Sequence, residues 1–223
     1  MKPVFIFGAG TMAKLAWNCF EHETQYSISA FIVDDSLHRK EEFCGLPVIS
    51  SNDFMQKNQP ESCLLFIALG YQNLNSIRQS IFERFEKLQY RFISCISSRA
   101  MIMNEGNIGK NCFIMEGAVI QPFSHIGDNC IIWSGSIVSH ESSIGNNCFL
   151  AAHSVVGGMV SVGNNSFLGM NTTVRDKVKI GKSCLIGAGS LVLSDLEDNS
   201  FVSVNETPVA KYSAQEALRF IDI

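Results

Sequence analysis

The chain has 223 residues, of which 46% are hydrophobic and 17% charged, and its formal net charge is -4. This balance is typical of a soluble globular protein and gives no electrostatic reason to expect nucleic acid as a partner. No apolar run reaches the roughly 18–20 residues that a membrane span needs. The start of the chain is also better explained by a strand and a turn than by a signal peptide, so we expect a cytoplasmic protein.

The first 95 residues alternate between predicted strands and helices. The stretch "PVFIFGAG" is an apolar strand that runs into a glycine turn, and "TMAKLAWNCFEH" continues with helical periodicity. A second strand, "YSISAFIVDD", ends in two aspartates, and a third, "SCLLFIALG", precedes the amphipathic helix "NLNSIRQSIFERFEKL". This alternation predicts a small Rossmann-like parallel α/β sheet over residues 1–95.

The first strand-to-helix turn has a pattern that favours binding of a diphosphate. Gly8, Gly10 and Ala13 form a G-x-G-x-x-A turn, and Asp34 and Asp35 follow the second strand. Such a turn brings backbone N–H groups against a diphosphate, and the aspartates can accept hydrogen bonds from a ribose or a base. An NAD-binding domain would normally need a second mononucleotide-binding half, for which the chain has no room before the next domain. A nucleotide-diphosphate ligand other than NAD is the preferred prediction, and a purely structural turn is the other alternative.

An unbroken hexapeptide repeat follows and predicts a second domain over residues 96–223. Every sixth residue from Ile102 to Val192 is aliphatic, and the related units "IGKNCF", "IGDNCI" and "IGNNCF" begin at Ile108, Ile126 and Ile144, three hexads apart. This periodicity predicts a solenoid in which three successive hexads form one triangular coil of three short strands. The aliphatic residues point inward, and the glycine and asparagine of each unit lie at a bend that requires positive φ.

The eight cysteines do not predict a disulfide framework. Cys112, Cys130, Cys148 and Cys184 are in register with the repeat, and Ser166 occupies the remaining equivalent position. A position that accepts either cysteine or serine requires a small side chain, so we expect buried thiols in a reducing compartment.

One coil carries an imidazole and a carboxylate side by side at a corner. His140 and Glu141 lie in "SIVSHESSIG", and His140 stands two places after the inward Val138, so it points outward. The two residues are candidates for a general base and for the carboxylate that holds it or makes it more basic. A solvated surface histidine is the alternative. Convergence of His125, His140 and His153 on a metal ion is not expected, because their spacing places them on different columns.

The repeat resembles that of the left-handed parallel β-helix acyltransferases, known as hexapeptide-repeat transferases. With the domain in front of it, the chain resembles nucleotide-sugar N-acetyltransferases and sialic-acid O-acetyltransferases that make bacterial surface sugars. The stretches "GAGTMAK" and "SHES" carry this resemblance. It implies a left-handed helix, acetyl-CoA as cosubstrate without a metal, and His140 and Glu141 as the catalytic pair.

The resemblance also implies two sets of binding residues. The sugar nucleotide would contact Gly10, Thr11, Met12, Asp34, Asp35 and Gly70. Acetyl-CoA would contact His153, Gly158, Met170 and Ala188, and its adenine end would lie near the C-terminal stretch "VNETPVAK".

The implied function is transfer of acetyl to the amino group of a UDP- or dTDP-linked 4-amino-4,6-dideoxy sugar, for O-antigen, capsule or glycoprotein synthesis. O-acetylation of a sialic-acid-type sugar is the first alternative, and a non-catalytic scaffold that binds a sugar nucleotide is the second. The flat faces of the helix and the need to exclude water from His140 favour a homotrimer with active sites between subunits.

Overall fold

The computed structural model describes residues 2–39, 41–205 and 213. The stretch "VNETPVAK" lies outside the described residues from position 206 onward. The described residues of the N-terminal part form three α-helices, one short 3-10 helix and five strands. These are β1 (Val4–Phe7), α1 (Thr11–Glu23), β2 (Ile28–Val33), a 3-10 helix (Asp35–Leu37), β3 (Glu42–Phe43), β4 (Leu46–Ser50), α2 (Ser51–Lys57), β5 (Leu64–Ile67) and α3 (Ser76–Lys87).

The five strands form one sheet in the order β3-β4-β2-β1-β5. All neighbours are parallel except β3 and β4, which form a short antiparallel pair. Strands β1, β2 and β5 are almost completely buried, as expected for a parallel sheet that helices cover on both faces. Because the strands are parallel, the turns after β1, β2 and β5 meet at one edge of the sheet, and this edge carries the predicted diphosphate turn.

From Cys95 onward the chain forms a parallel β-helix of two-residue strands. Its first face contains β6 (Cys95–Ile96), β8 (Phe113–Ile114), β11 (Ile131–Ile132), β14 (Phe149–Leu150), β17 (Phe167–Leu168), β20 (Leu185–Ile186) and β22 (Phe201–Val202). Its second face contains β7 (Met101–Ile102), β9 (Val119–Ile120), β12 (Ile137–Val138), β15 (Val155–Val156), β18 (Thr173–Val174) and β21 (Leu191–Val192). Its third face contains β10 (His125–Ile126), β13 (Ser143–Ile144), β16 (Ser161–Val162) and β19 (Lys179–Ile180). Each strand pairs with the strand three hexads further along, apart from the last pair on the first face, so the predicted triangular coil is confirmed.

The aliphatic residues of the repeat fill the interior of the coil. From Ile114 to Val192 the sixth-residue positions are buried, whereas Ile102 and Ile108 at the open end are only partly covered. The cysteine column lies beside this core, and each thiol approaches a backbone carbonyl further along the coil. Cys130 Sγ lies 3.0 Å from the carbonyl oxygen of Gly145, and Ser166 Oγ lies 3.0 Å from that of Gly181. Cysteine and serine are therefore equivalent here because both are small donors to the same kind of acceptor.

The bend at the glycine–asparagine corner differs from the prediction in one respect. Asn111, Asn129, Asn147 and Asn165 do have left-handed φ values, between 56° and 62°. The glycines two residues earlier do not. A Cβ on Gly109 would lie 2.7 Å from the backbone nitrogen of Asp128, so glycine is required there by the close approach of the next coil.

The two parts of the chain share one apolar core along the first face of the helix. Phe113, Ile131 and Phe149 point outward from this face and are buried in the same cluster as the β1, β2 and α1 side chains. The asparagine column joins the two parts by hydrogen bonds: Asn111 Oδ1 accepts from the backbone N–H of Ile67 at 2.7 Å. Strand β6 spans positions 95 and 96, where the sequence predicts the domain boundary. None of the helices in the described part of the chain is long and apolar enough to cross a bilayer.

Candidate active site

A cavity of about 590 Å³ lies where the carboxyl edge of the sheet meets the first face of the β-helix. The front domain contributes Gly10 from the turn after β1, Thr11 and Met12 from the start of α1, and Gly70 from the turn after β5. The β-helix contributes small and apolar side chains, including Met170 and Ala188. The structure thus brings together part of the predicted sugar-nucleotide set and part of the predicted acetyl-CoA set.

The floor of the cavity is aromatic. Trp133 and Phe149 stack with ring centroids 5.6 Å apart, and Phe149 and Phe167 stack at 5.2 Å. Tyr71 covers both phenylalanines, with centroids at 5.1 and 4.8 Å. Such pairs are each worth about 0.5–1.5 kcal/mol beyond their buried area. The floor is therefore a rigid apolar surface that suits a planar or methyl-bearing group.

Helix α1 begins at this cavity, since Gly10, Thr11 and Met12 line it. Helix α3 begins at Ser76, four residues after the lining residue Gln72. Neither helix has a side-chain cap or an acidic residue in its first turn. Helix α2, which does not line the cavity, has both, because Ser50 accepts from the Asp53 N–H and Asp53 is acidic. Uncapped N–H groups and the positive end of a helix favour a bound anion.

The paired aspartates lie at the same edge of the sheet but do not line the cavity. Asp34 forms an ion pair with Arg84 at 2.7 Å, and Asp35 accepts a hydrogen bond from Ser51 Oγ at 2.9 Å. Desolvation acts to raise the pKa of the Asp35 carboxyl, but hydrogen bonds from Ser51 and Ser50 outweigh it and lower that pKa. Both carboxylates are thus oriented by neighbouring side chains.

His140 and Glu141 lie at the corner between the second and third faces, away from the cavity. Their side chains are 51% and 57% exposed, and His140 Nδ1 lies 3.3 Å from Glu141 Oε2. The backbone of His140 is held in turn, since its N–H donates to Gln121 Oε1 at 2.9 Å. When Nδ1–H donates to Glu141, Nε2 is left as the nitrogen that can accept a proton.

Gly158 makes room for this imidazole. It lies one coil beyond His140, and a Cβ built on it would be 2.7 Å from both Nε2 and Cε1 of the ring. Its backbone N–H donates to Asp176 Oδ1 at 2.8 Å, which holds the corner in place. The Cε1–Nε2 edge of the imidazole therefore lies against the bare backbone of Gly158.

We expect Gly158→Ala to lower kcat/KM by about 10²-fold, because the added methyl group displaces Nε2 and a shift of about 1 Å can cost that much. The melting temperature should stay close to the wild-type value, since the methyl group meets the half-exposed side chain of His140 and not the core. Steady-state kinetics and thermal unfolding measured on the same preparation test this. Wild-type activity in a folded Gly158→Ala variant would contradict the position assigned to His140.

The predicted acetyl-CoA residues are divided between two corners of the coil. Met170 and Ala188 line the cavity at the corner between the first and second faces, whereas Gly158 lies beside His140. His153 is exposed at the cavity corner, where its ring covers Gly135. Within the described residues, no three histidine, cysteine or acidic side chains form a group that could hold a metal ion.

Two sequence families match the chain. "PglD N-terminal domain" matches residues 3–85, and "Bacterial transferase hexapeptide (six repeats)" matches residues 106–140, 123–158 and 159–194. The chain therefore belongs to the hexapeptide-repeat transferases that carry a PglD-type N-terminal domain, and the left-handed β-helix implied by the resemblance is confirmed. The comparison with curated proteins finds no match.

Solved structures of nucleotide-sugar acetyltransferases superimpose on nearly the whole chain. Perosamine N-acetyltransferase from Caulobacter crescentus, solved as a histidine-to-asparagine variant with CoA and GDP-perosamine, is 27% identical with a TM-score of 0.81, covering 90% of this chain and 93% of that one. The acetyltransferase domain of PglB from Neisseria gonorrhoeae FA1090 is 21% identical with a TM-score of 0.80, covering 90% and 96%. WeeI from Acinetobacter baumannii AYE is 21% identical with a TM-score of 0.77, covering 91% and 97%. At 21% identity, the last two support the fold alone.

The aromatic floor was not predicted, although the sequence carries a signal for it. Residues that immediately precede the inward positions point outward, and on the first face these are Phe113, Ile131, Phe149 and Phe167. On the third face they are His125, Ser143, Ser161 and Lys179. A row of large apolar side chains pointing outward on one face indicates that another part of the protein covers that face.

Proposed function

We propose that the chain transfers the acetyl group of acetyl-CoA to the amino group of a nucleotide-linked amino sugar. An acetyl-CoA-dependent sugar N-acetyltransferase is the enzyme class of the 27% identical perosamine N-acetyltransferase, which was solved with CoA and GDP-perosamine. The nucleotide is left open, and the expected 4-amino-4,6-dideoxy sugar, the role in bacterial surface glycan synthesis and the cytoplasmic location remain parts of the proposal.

The proposal rests on the cavity between the carboxyl edge of the sheet and the first face of the β-helix, which we call the junction cavity. The uncapped N-terminus of α1 offers N–H groups to a diphosphate, and the aromatic floor beside it suits the base or the deoxygenated side of a sugar. Within the described residues, the cavity presents no basic side chain that could pair with the carboxylate of a sialic-acid-type sugar. A sugar without a carboxylate is therefore favoured, and the N-acetyltransferase that superimposes on this chain supports an amine as the acceptor.

The chemistry needs one proton acceptor. The neutral amine attacks the thioester carbonyl, the carbon–sulfur bond breaks, and the CoA thiolate leaves. Nε2 of His140 takes the proton that the nitrogen loses, while Glu141 holds Nδ1 and so fixes the orientation of the ring. No enzyme nucleophile is required, because the thioester is already activated.

We propose that a second copy of the chain completes each site. His140 and the cavity lie at opposite edges of the second face, so one chain alone does not bring them together. The outward residues of that face are largely apolar, and Met101 and Leu191 are 58% and 62% exposed. Packing this face around a threefold axis would bring His140 of one copy towards the cavity of the next and form the expected homotrimer.

The test is acetyl transfer to a panel of GDP-, UDP- and dTDP-linked amino sugars, followed by thiol release and product mass. Matched acceptors with a hydroxyl in place of the amine, together with a nucleotide-linked sialic acid, serve as controls. We expect thiol release with at least one amine and with none of the controls. Transfer to a hydroxyl control, or no transfer to any amine while acetyl-CoA binds, would overturn the assignment.

Asp35→Ala should raise KM for the sugar nucleotide far more than KM for acetyl-CoA, because Asp35 lies at the sheet edge that carries the diphosphate turn. Asp53→Ala, on the neighbouring helix α2, is the matched control and should change neither KM. Equal effects of Asp35→Ala on both substrates would indicate that Asp35 only supports the fold.

A further inference from the structure

Arg78 is a buried positive charge with which no carboxylate of the described residues pairs. It lies in the first turn of α3, is 1% exposed, and is among the largest fully buried side chains in the described part of the chain. Burial lowers the pKa of its guanidinium to about 10, which leaves it positively charged at neutral pH.

The hydrogen bonds that Arg78 makes are too few and too long to offset the cost of removing its charge from water. Its Nη2 lies 3.4 Å from both Asn75 Oδ1 and the carbonyl oxygen of Cys148. Its Nε and Nη1, and also Asn75 Nδ2, have no hydrogen-bond partner among the described residues. The buried thiols nearby approach carbonyl oxygens, as Cys130 Sγ does that of Gly145 at 3.0 Å and Cys148 Sγ that of Gly163 at 3.2 Å, which suits thiols that donate. Desolvation acts to raise the pKa of the Cys130 thiol, but hydrogen bonds with Cys112 and Cys148 and the charge of Arg78 lower it. Burial of an uncompensated charge is costly and is retained in proteins mainly where it serves a function.

Arg78 contacts residues that adjoin the wall of the junction cavity. Cys148, whose carbonyl it contacts, precedes the floor residue Phe149, and Asn75 follows the wall residues Tyr71 and Gln72. The backbone N–H of Asn75 donates to the carbonyl of Tyr71 at 3.1 Å, which ties the turn to the helix. The charge of Arg78 and the uncapped start of α3 therefore lie next to residues that line the cavity, and the described lining itself has no charged side chain.

We infer that Arg78 is a positioning residue whose unpaired charge, acting through the cavity wall, attracts and orients the diphosphate of a nucleotide ligand. This inference rests on the proposed function, since it assigns the anion to the sugar nucleotide. Two unit charges about 10 Å apart, at an effective dielectric constant of about 20, change a binding constant by roughly tenfold. The effect depends on charge and not on contact, which separates it from a packing role.

The test measures the Kd of GDP, UDP and dTDP by calorimetry, with the corresponding nucleosides as uncharged probes. For the diphosphate that binds best, Arg78→Met should raise Kd roughly tenfold, whereas Arg78→Lys should keep it near the wild-type value. Nucleoside binding should be unchanged in both variants. Lys87→Met removes the same charge from the far end of the same helix and is the matched control, expected to have no effect.

Asn75→Asp tests the same charge without removing it. The new carboxylate would lie beside Arg78 at a position where aspartate tolerates the left-handed backbone, with φ of 65°. We expect it to weaken diphosphate binding as Arg78→Met does while keeping the protein folded, so the test stands even where Arg78→Met fails to fold.

Unchanged diphosphate affinity in either neutralising variant would overturn the role of Arg78 and leave the proposed function intact. Equal losses in Arg78→Met and Arg78→Lys would also overturn it, because they would indicate shape and not charge. Failure of all three diphosphates to bind the wild-type chain would overturn the proposed function as well.

Discussion

Replacing His140 by alanine should lower kcat/KM by about 10²–10⁴-fold, the usual contribution of a general base, while leaving the melting temperature nearly unchanged. The side chain is half exposed at a corner of the coil, so its removal takes little from the core. Glu141→Ala should cost less, because the carboxylate holds Nδ1 and does not itself receive the proton of the amine.

The control for this prediction is His125→Ala. His125 is also exposed on the coil and also pairs with a neighbour, since its Nδ1 lies 2.8 Å from Asn107 Oδ1, but it lies on the third face. It should retain full activity. A pH profile completes the test: recovery of His140→Ala at high pH would indicate that the amine loses its proton to solvent before binding, and wild-type rates at neutral pH would contradict the assignment.

Co-expression of two inactive variants should restore activity if each site is shared between copies. Ala152 lines the cavity, so a tryptophan at this position fills it, whereas His140→Ala removes the base. Each variant alone should therefore be inactive. In randomly mixed trimers, about one quarter of the sites would combine an intact cavity from one copy with an intact His140 from the next. Differently tagged chains purified together, and assayed against each variant alone, measure this fraction.

The co-expression experiment also has a defined negative result. If cavity and base act within one chain, every chain in the mixture carries one defect and the mixed oligomers stay inactive. Sedimentation of the wild-type chain provides an independent check, because a monomer at micromolar concentration that acetylates its substrate would contradict the shared site.

The β-helix could be predicted from the sequence because its interactions repeat. A strand pairs with the strand three hexads later, so each coil imposes the same demands on Ile132, Leu150 and Leu168, and these demands appear as a period in the sequence. The outward position of His140 could be predicted from the same hexapeptide period, since His140 stands two places after the buried Val138. The parallel sheet in front was also predictable, because buried strands such as β1 and β5 are continuous apolar runs.

The reason for the corner glycines was misjudged because it is not local. Left-handed φ is a property of one residue, and the asparagines show it, but the need for glycine at position 109 comes from a backbone atom of Asp128 in the next coil.

The junction cavity and the burial of the Arg78 charge beside it depend on the tertiary structure alone. Tyr71 and Phe149 are far apart in the chain, and nothing in local propensity or periodicity brings their rings to 5.1 Å. An arginine in an amphipathic helix is ordinarily solvated, so the burial of Arg78 depends on the way α3 packs against the coil. The sequence by itself determined the repeat, the sheet and the exposed His140, because these follow from short-range pattern. The separation of that base from the cavity, and the unpaired charge beside the cavity, were decided by packing between distant segments, which leaves no period in the sequence.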